Sequence, residues 1–447
     1  MGLKILIIGS GGREHALSWI ISRSKREIEK IYVMPGNAGT LSEKNVFNVE
    51  CDINDKQSVL NFAINNEVDL TIVGPEDPLV SGLSDLFEEN NLNIFGPKKF
   101  FAQLEGSKIF AKDFMNKNNL PTAGYKEFDC ANQASNYIQN KKMPIVIKYD
   151  GLAAGKGVDI CESIEDAEES IKKLLKLGQK IIIEDFIKGI ELSAIYISNP
   201  NAAKKTIGLP WIKDYKSRDE FNSGPNTGGM GAISHPFCSY KKNDIYSLNV
   251  EIEKILIKTL VGISNDSKSA SKYNGFIYLG LMLSTTDNKP YVLEYNCRMG
   301  DPETQNILMY LDKNHVDFLD LIGFNNVDYP DNFNLSFVDH KDISGFCCTI
   351  VLAAKGYPTN PIKDFYLDLS QIEEKENVKV FHAGTKISNG SIKVSGGRIL
   401  SINAFSDNKQ DAIDIAYENI SKIKAFSDSE LKNEDSDLVF FRSDIGS

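Results

Sequence analysis

The chain is poor in cysteine. Seven occur in 447 residues, scattered as Cys51, Cys130, Cys161, Cys238, Cys297, Cys347 and Cys348, with no C-x-x-C pair. An odd, dispersed set excludes a disulfide framework and a zinc ribbon. Long apolar runs are missing too, since no stretch reaches the roughly 20 residues of a membrane span. The opening residues, "MGLKILIIGSGG", lack a basic region, a long apolar region and a small-residue cleavage site in series, and they read as a strand. A formal charge of −11, spread without a basic stripe, argues against a nucleic-acid backbone as partner. These absences place the protein in the cytoplasm, away from membranes and nucleic acids, with small molecules as its partners. What remains is ordinary globular composition, 42% hydrophobic and 25% charged. The length suffices for about three domains with substantial cores.

Residues 1 to about 100 alternate strand and helix: "KILIIG", "HALSWIIS", "KIYVMP", "VLNFAINN", "DLTIVGP", "GLSDLFEEN", "NIFGP". That alternation predicts a parallel sheet covered on both faces, with ligands at the carboxyl ends of its strands. Four turns sit at those ends: "GSGGREH", "PGNAGT", "GPEDPL" and "GPKKF". Any one of them could merely be a tight turn. The first resembles a dinucleotide cradle, but Glu14 stands where a third glycine is wanted, and no acidic residue follows the second strand to hold a ribose. A phosphate on a smaller molecule fits this turn better than NAD.

Beyond Gly96-Pro97, a helix around "KIFAKDFMNKNNL" precedes the strand "MPIVIKYD" and the turn "GLAAGKGVDI". Lys148 closes that strand and Lys156 sits among glycines, so two ammonium groups could face phosphate oxygens along adjacent strands; a solvated turn is the plainer alternative. A P-loop is excluded, because Gly157 follows Lys156 where a hydroxyl and then a helix are required. In "KIIIEDFIKGIELSAIYI", the backbone of Glu184, Asp185 and Phe186 could serve an adenine edge and Glu191 a ribose. Exposed strand-end acids would have the same spacing. "YVLEYNCRMGDPETQ" is more specific. Glu294 and Asn296 lie two apart on an apolar strand and so share a face, a carboxylate beside an amide oxygen suited to Mg²⁺ shared with phosphates. Arg298 offers a bidentate fork, and Asp301 and Glu303 crowd the same strand end.

"GLAAGKGV", "GPNTGGMGA" and "EYNCRMGDPETQ" resemble, nearly letter for letter, the motifs of the glycinamide ribonucleotide synthetase family of ATP-grasp enzymes. The resemblance spans essentially the whole chain, through "GGREHAL", "PGNAGT", "TIVGPEDPLV", "QLEGSK", "VFHAGT", "GGRIL" and "RSDIG" in order. It implies a mixed α/β and α+β fold: an N-terminal parallel-sheet domain over 1–103, a central ATP-grasp domain over 104–324 with a flexible subdomain about 122–190, and a small C-terminal α+β domain over 325–447. It implies a ligase that joins glycine to 5-phosphoribosylamine in purine biosynthesis, using ATP with Mg²⁺, or Mn²⁺ as the alternative, through a glycyl phosphate.

On that resemblance, Glu294 and Asn296 hold the metal, and Lys108, Lys148 and Lys156 neutralise phosphates. Glu184, Asp185, Phe186 and Glu191 bind the nucleoside. Gly11, Gly12, Asn37, Gly39, Glu76 and Asp301 take the substrates, and Arg298, Asp214 and Lys216 act in the reaction. One stretch departs from the family: its Gln-Asp-His-Lys-Arg loop is "KDYKS" at Lys213 to Ser217, with an arginine only at Arg218. The glycines of "GPNTGGMG" are too many for the interior of an element and read as a lid or phosphate-facing loop. The C-terminal strands and helix suggest a small module closing on the N-terminal domain, with His382 a structural hydrogen-bonder. A monomer is expected, with a dimer as the alternative.

Overall fold

The computed structural model describes residues 2–152, 157–178, 180–202, 205–235, 242–267, 271–324, 344–427 and 434–447. Five parallel strands form the N-terminal sheet in the order Val46–Asn48, Ile28–Pro35, Leu3–Gly9, Leu70–Val73, Ile94–Phe95. Ile5, Leu6, Ile7 and Ile8 are fully buried, as a central strand covered on both faces requires. The helix Gly12–Ser22 starts directly after the first strand, and the Gly11 N–H donates to Glu14 Oε2 at 2.6 Å. That helix packs against a second buried helix, Glu303–Lys313, with an ion pair of 2.5 Å from Arg23 to Asp312 at one end. The Arg298–Asp301 strand exit is thereby set against the N-terminal turns.

Strands Tyr125–Phe128, Ile181–Asp185, Ile145–Tyr149 and Val158–Cys161 make an antiparallel four-stranded sheet. It shares an apolar core with the helices Ala131–Ile138 and Ile164–Leu177. The second helix is strongly patterned: Ala167, Ile171 and Leu174 are buried, while Ser163 and Asp166 close a capping box at its start.

The largest sheet runs in the order Pro290–Asn296, Gly275–Ser284, Gly189–Ser198, Ile212–Asp214, Gly231–Ser234, Phe346–Ala354, Arg398–Ser406, Val378–His382. The C-terminal strands therefore continue the central sheet, because Gly231–Ser234 pairs with Ile212–Asp214 on one side and Phe346–Ala354 on the other. A smaller sheet (Thr385–Ser388, Ser391–Val394, Tyr366–Asp368, Lys424–Phe426) and the helix Lys409–Ile420 complete this end.

The glycine-rich stretch differs from its reading as a loop. Ser223–Asn226 pairs with Ser217–Asp219, and Gly231 opens a strand, so only Thr227 to Met230 turns. Close approach is the reason for glycine here: a Cβ on Gly231 would lie 2.7 Å from the Thr349 carbonyl oxygen. The six described cysteines are free thiols, and among the described residues no helix is long and apolar enough to cross a membrane. Cys238 and the boundary at residue 325 lie outside the described residues.

Candidate functional site

A cleft of about 1170 Å³ opens where the N-terminal strand ends, the four-stranded sheet and the central sheet meet. Lys108, Lys148, Glu184, Asp185, Phe186, Glu191, Asp214, Lys216, Glu294, Asn296, Arg298, Asp301 and Glu76 all line it. Residues from six separate stretches of sequence thus converge on one space. Lys156 lies outside the described residues.

Glu294 and Asn296 sit on the strand Pro290–Asn296, opposite Gly280 and Tyr278 of its neighbour, and their alternation turns both to the cleft. Arg298 follows after the strand has ended. Desolvation would raise the Glu294 carboxyl, yet Lys216, Lys148, Lys108 and Arg298 outweigh it and hold the group at about 2. A permanently ionised carboxylate beside an amide oxygen is a hard donor pair that fits a divalent cation completing its shell from phosphates and water.

The lysines are held by the chain itself. Glu184, with a side chain only 2% exposed, forms ion pairs with Lys148 and Lys112 through separate oxygens, each at 2.9 Å. Lys148 also donates to the Leu293 carbonyl at 3.0 Å, and Lys108 to that of Gly151 at 2.8 Å. Lys216 pairs with Glu191 and lies 3.6 Å from Glu294. Burial lowers the Lys112 ammonium to about 8, despite Glu184 beside it.

Arg298 is gripped from two sides, by Glu76 at 3.1 Å and Glu105 at 2.8 Å. The second oxygen of Glu105 accepts the Cys297 N–H at 2.7 Å. Burial pushes the Glu105 carboxyl up to about 7, whereas Glu76, for which burial acts the same way, is held at about 2 by Arg298 and Arg13. Asp214 is raised well above the usual carboxylate range by burial and by Glu303.

Four predicted residues are absent from the cleft wall. Gly11 and Gly12 abut its floor from behind: a Cβ on Gly11 would come 3.0 Å from Asp301 Oδ2, and one on Gly12 would come 2.3 Å from Gln305 Nε2. Asn37 is buried, donating to the Ser10 and His382 carbonyls at 2.8 Å each and accepting the Gly39 N–H at 2.9 Å. Gly39 lies against His15, whose Cε1 would be 2.2 Å from an added Cβ. In the first turn the Glu14 carboxylate accepts the Gly11 N–H and the Arg13 Nε–H, each at 2.6 Å.

With this geometry in hand, comparison with known proteins decides the family. Models of the phosphoribosylglycinamide synthetase N domain, ATP-grasp (A) domain and C domain match residues 3–105, 106–304 and 347–447. The chain belongs to the phosphoribosylglycinamide synthetase family. It is 42% identical over 453 residues to a phosphoribosylamine–glycine ligase of Clostridium acetobutylicum, covering 99% of each chain. It is 39% identical over 457 residues to one of Fusobacterium nucleatum, covering 99% of this chain and 98% of that protein. A crystal structure of the Thermotoga maritima phosphoribosylamine–glycine ligase superposes with a TM-score of 0.77 at 30% identity, over 99% of this chain and 100% of that one. The biotin carboxylase domain of the Hydrogenobacter thermophilus 2-oxoglutarate carboxylase, solved with MgADP, ADP and bicarbonate, shares the fold with a TM-score of 0.70 at 14% identity. It covers 95% of this chain and 91% of that one.

Within this family architecture, Glu303 lines the cleft beside Asp301, and Arg13, Glu105, Lys112 and Arg398 line it as well, although sequence reasoning gave those four no role there. Glu105 and Arg398 stood in quoted motifs, "QLEGSK" and "GGRIL", and carried that much signal. Lys112 stands four residues after Lys108 on the helix Lys108–Lys117, one turn along, which was the clue to a shared face.

Proposed function

We propose that this chain joins glycine to 5-phosphoribosylamine with ATP, giving glycinamide ribonucleotide, ADP and phosphate. A glycine carboxylate oxygen attacks the γ-phosphorus and ADP leaves. The amine nitrogen of phosphoribosylamine then attacks the glycyl carbonyl, the carbon–oxygen bond to phosphate breaks, and the nitrogen gives up a proton. The observation that carries this reading is the convergence of Lys108, Lys148 and Lys216 on Glu294, with Arg298 pinned beside them, in a cleft at the end of the N-terminal sheet.

In this reading the described lysines, with Lys156, neutralise phosphate charge, and catalysis is positioning plus electrostatic stabilisation. Glu294 and Asn296 hold Mg²⁺, which supplies charge neutralisation at the phosphates; Mn²⁺ is the alternative. The backbone of Glu184 to Phe186 takes the adenine and Glu191 the ribose. Arg298, Asp214 and Lys216 orient the reacting carboxylate, and Glu76, Asp301 and the turns carrying Gly11, Gly12, Asn37 and Gly39 shape the sugar-phosphate end. Domain limits at 103 and 324, with a mobile 122–190 unit, a monomeric state and a cytoplasmic location belong to the same proposal.

The test is ADP release with freshly generated phosphoribosylamine, beside controls lacking each substrate. Release that requires both glycine and the amine, with glycinamide ribonucleotide formed, is expected. ADP formed with neither, or with a different amino acid in place of glycine, would overturn the assignment.

A further inference from the structure

Tyr215 is one of the three residues, with Lys213 and Ser217, at which this chain leaves the family's loop pattern, and it sits between Asp214 and Lys216. Asp214 ends the strand Ile212–Asp214, and it and Lys216 line the cleft, whereas Tyr215 does not. Against Tyr215 lies the segment Phe441–Ser447, none of whose own residues lines the cleft.

The contacts between the two are dense and specific. Tyr215 is buried, with the Arg442 guanidinium carbon 5.1 Å from its ring centroid and the Lys213 ammonium 4.6 Å from it. Its hydroxyl accepts the Gly446 N–H at 2.9 Å. Arg442 is 1% exposed and spends its guanidinium on the loop: Nη1 donates to the Ser217 carbonyl at 3.0 Å and Nη2 to Asn222 Oδ1 at 3.2 Å. Asp444 holds Arg442 in place through two bonds of 2.7 and 2.6 Å, and accepts the Phe221 N–H at 2.8 Å with the same carboxylate. From behind, the Tyr417 hydroxyl donates to the Arg442 carbonyl at 2.9 Å and accepts the Ile445 N–H at 2.8 Å.

We infer that Phe441–Ser447 is a positioning strap for the loop carrying Asp214 and Lys216, with Arg442 as its positioning residue acting through Tyr215 and Ser217. Phe221 is 85% exposed, so the hairpin 217–226 has little apolar packing of its own. Its placement depends on these polar ties, and a buried guanidinium with satisfied partners makes them costly to break. This inference rests on the proposed reaction only for its kinetic readout.

The experiment compares wild type, Arg442→Ala, Arg442→Lys and Tyr215→Phe, with Val59→Ala in the N-terminal core as a control for general destabilisation. Misplacing reacting groups by about 1 Å costs on the order of 10²-fold in turnover. Arg442→Ala should therefore lose that much in kcat at saturating substrates, and ATP affinity should fall far less, because Lys108 and Lys148 stand on other elements. Added guanidinium should restore part of the rate, and Arg442→Lys and Tyr215→Phe should fall between. Hydrogen–deuterium exchange of the same proteins should quicken over 212–230 in Arg442→Ala and not in Val59→Ala. A rate loss no larger than that of Val59→Ala at equal melting temperature, or exchange over 212–230 unchanged, would overturn the strap. If wild type itself makes no product, the reaction assignment fails, and the exchange measurement still decides the strap.

Discussion

Arg298 and Glu105 form a 2.8 Å ion pair in which the carboxylate is 6% exposed, and the same carboxylate caps the Cys297 N–H. The pair fixes the guanidinium at the exit of the strand Pro290–Asn296, so its protonation state governs how Arg298 is presented to the cleft.

Glu105 gives the first prediction. Its carboxyl is raised by burial to about 7, so below that pH it protonates and releases Arg298. The raised group favours the folded state fully below the unfolded carboxyl range near 4.5, and this contribution is lost as pH rises through 7. Activity should move the opposite way to stability, with kcat/KM rising between pH 6 and 8. In Glu105→Gln that limb should flatten at a reduced rate. An unchanged profile would remove Glu105 from the control of Arg298.

Glu294→Gln keeps shape and removes charge. Losing one preorganised charge at a reacting phosphoryl centre costs about 10²–10³-fold in turnover. ADP release should fall by that factor while circular-dichroism melting shows a folded protein. Near-normal turnover would mean the cation and phosphates are held elsewhere.

Glu184→Gln leaves Lys112 and Lys148 buried without a carboxylate. Breaking a buried ionic network in this way costs about 3–5 kcal/mol. Urea denaturation should show a midpoint shift of matching size, with an unchanged slope.

Gly74 and Glu14 test the reading of the first turn. A Cβ on Gly74 would fall 1.9 Å from Glu14 Oε1. Gly74→Ala should cost about 1–3 kcal/mol through overpacking, and much less in a Glu14→Ala background, a coupling that a double-mutant cycle measures. Additive costs would show that the glycine serves something other than Glu14.

The buried histidines make the protein acid-sensitive. His15 Nδ1 accepts the His382 N–H at 2.8 Å, while its Nε2 lies 3.1 Å from Glu43. Burial lowers both rings, His382 to about 3, so neither charges readily while the protein is folded. Folded pKa values below the unfolded value near 6.5 mean that stability is full above pH 6.5 and declines as pH falls toward 3. His382→Gln should weaken the decline between pH 6.5 and 5 in melting experiments, where most carboxylates are still ionised.

The sequence revealed chemistry more readily than it revealed packing. Glu294 and Asn296 were legible because period-two alternation is a local rule, and Lys148 because it closed an apolar strand. Arg398 and Glu105 were not, since their roles arise from pairings 97 and 193 residues away, with the Asp301 carbonyl and Arg298. The strand character of Ser223–Asn226 was hidden because its partner is another short polar segment, with no apolar alternation to mark it. The N-terminal turns, with Asn37 and Glu76 among their glycines, read as a ligand cradle from their place at the strand ends and from the family resemblance. Two of those glycines, Gly9 and Gly74, make room for Glu14, a long-range demand that no local pattern announces.

The strand Gly231–Ser234, bonded to Ile212–Asp214 and to Phe346–Ala354, makes the molecule hard to divide. Cutting the chain between the ATP-grasp and C-terminal regions would strip hydrogen-bonding partners from both fragments and leave each with a raw, sticky edge. The three family regions are therefore not interchangeable building blocks. A chimera that replaces one region from a relative must carry a matching strand register across that seam, so the unit that recombination can exchange is the seam together with both of its flanks.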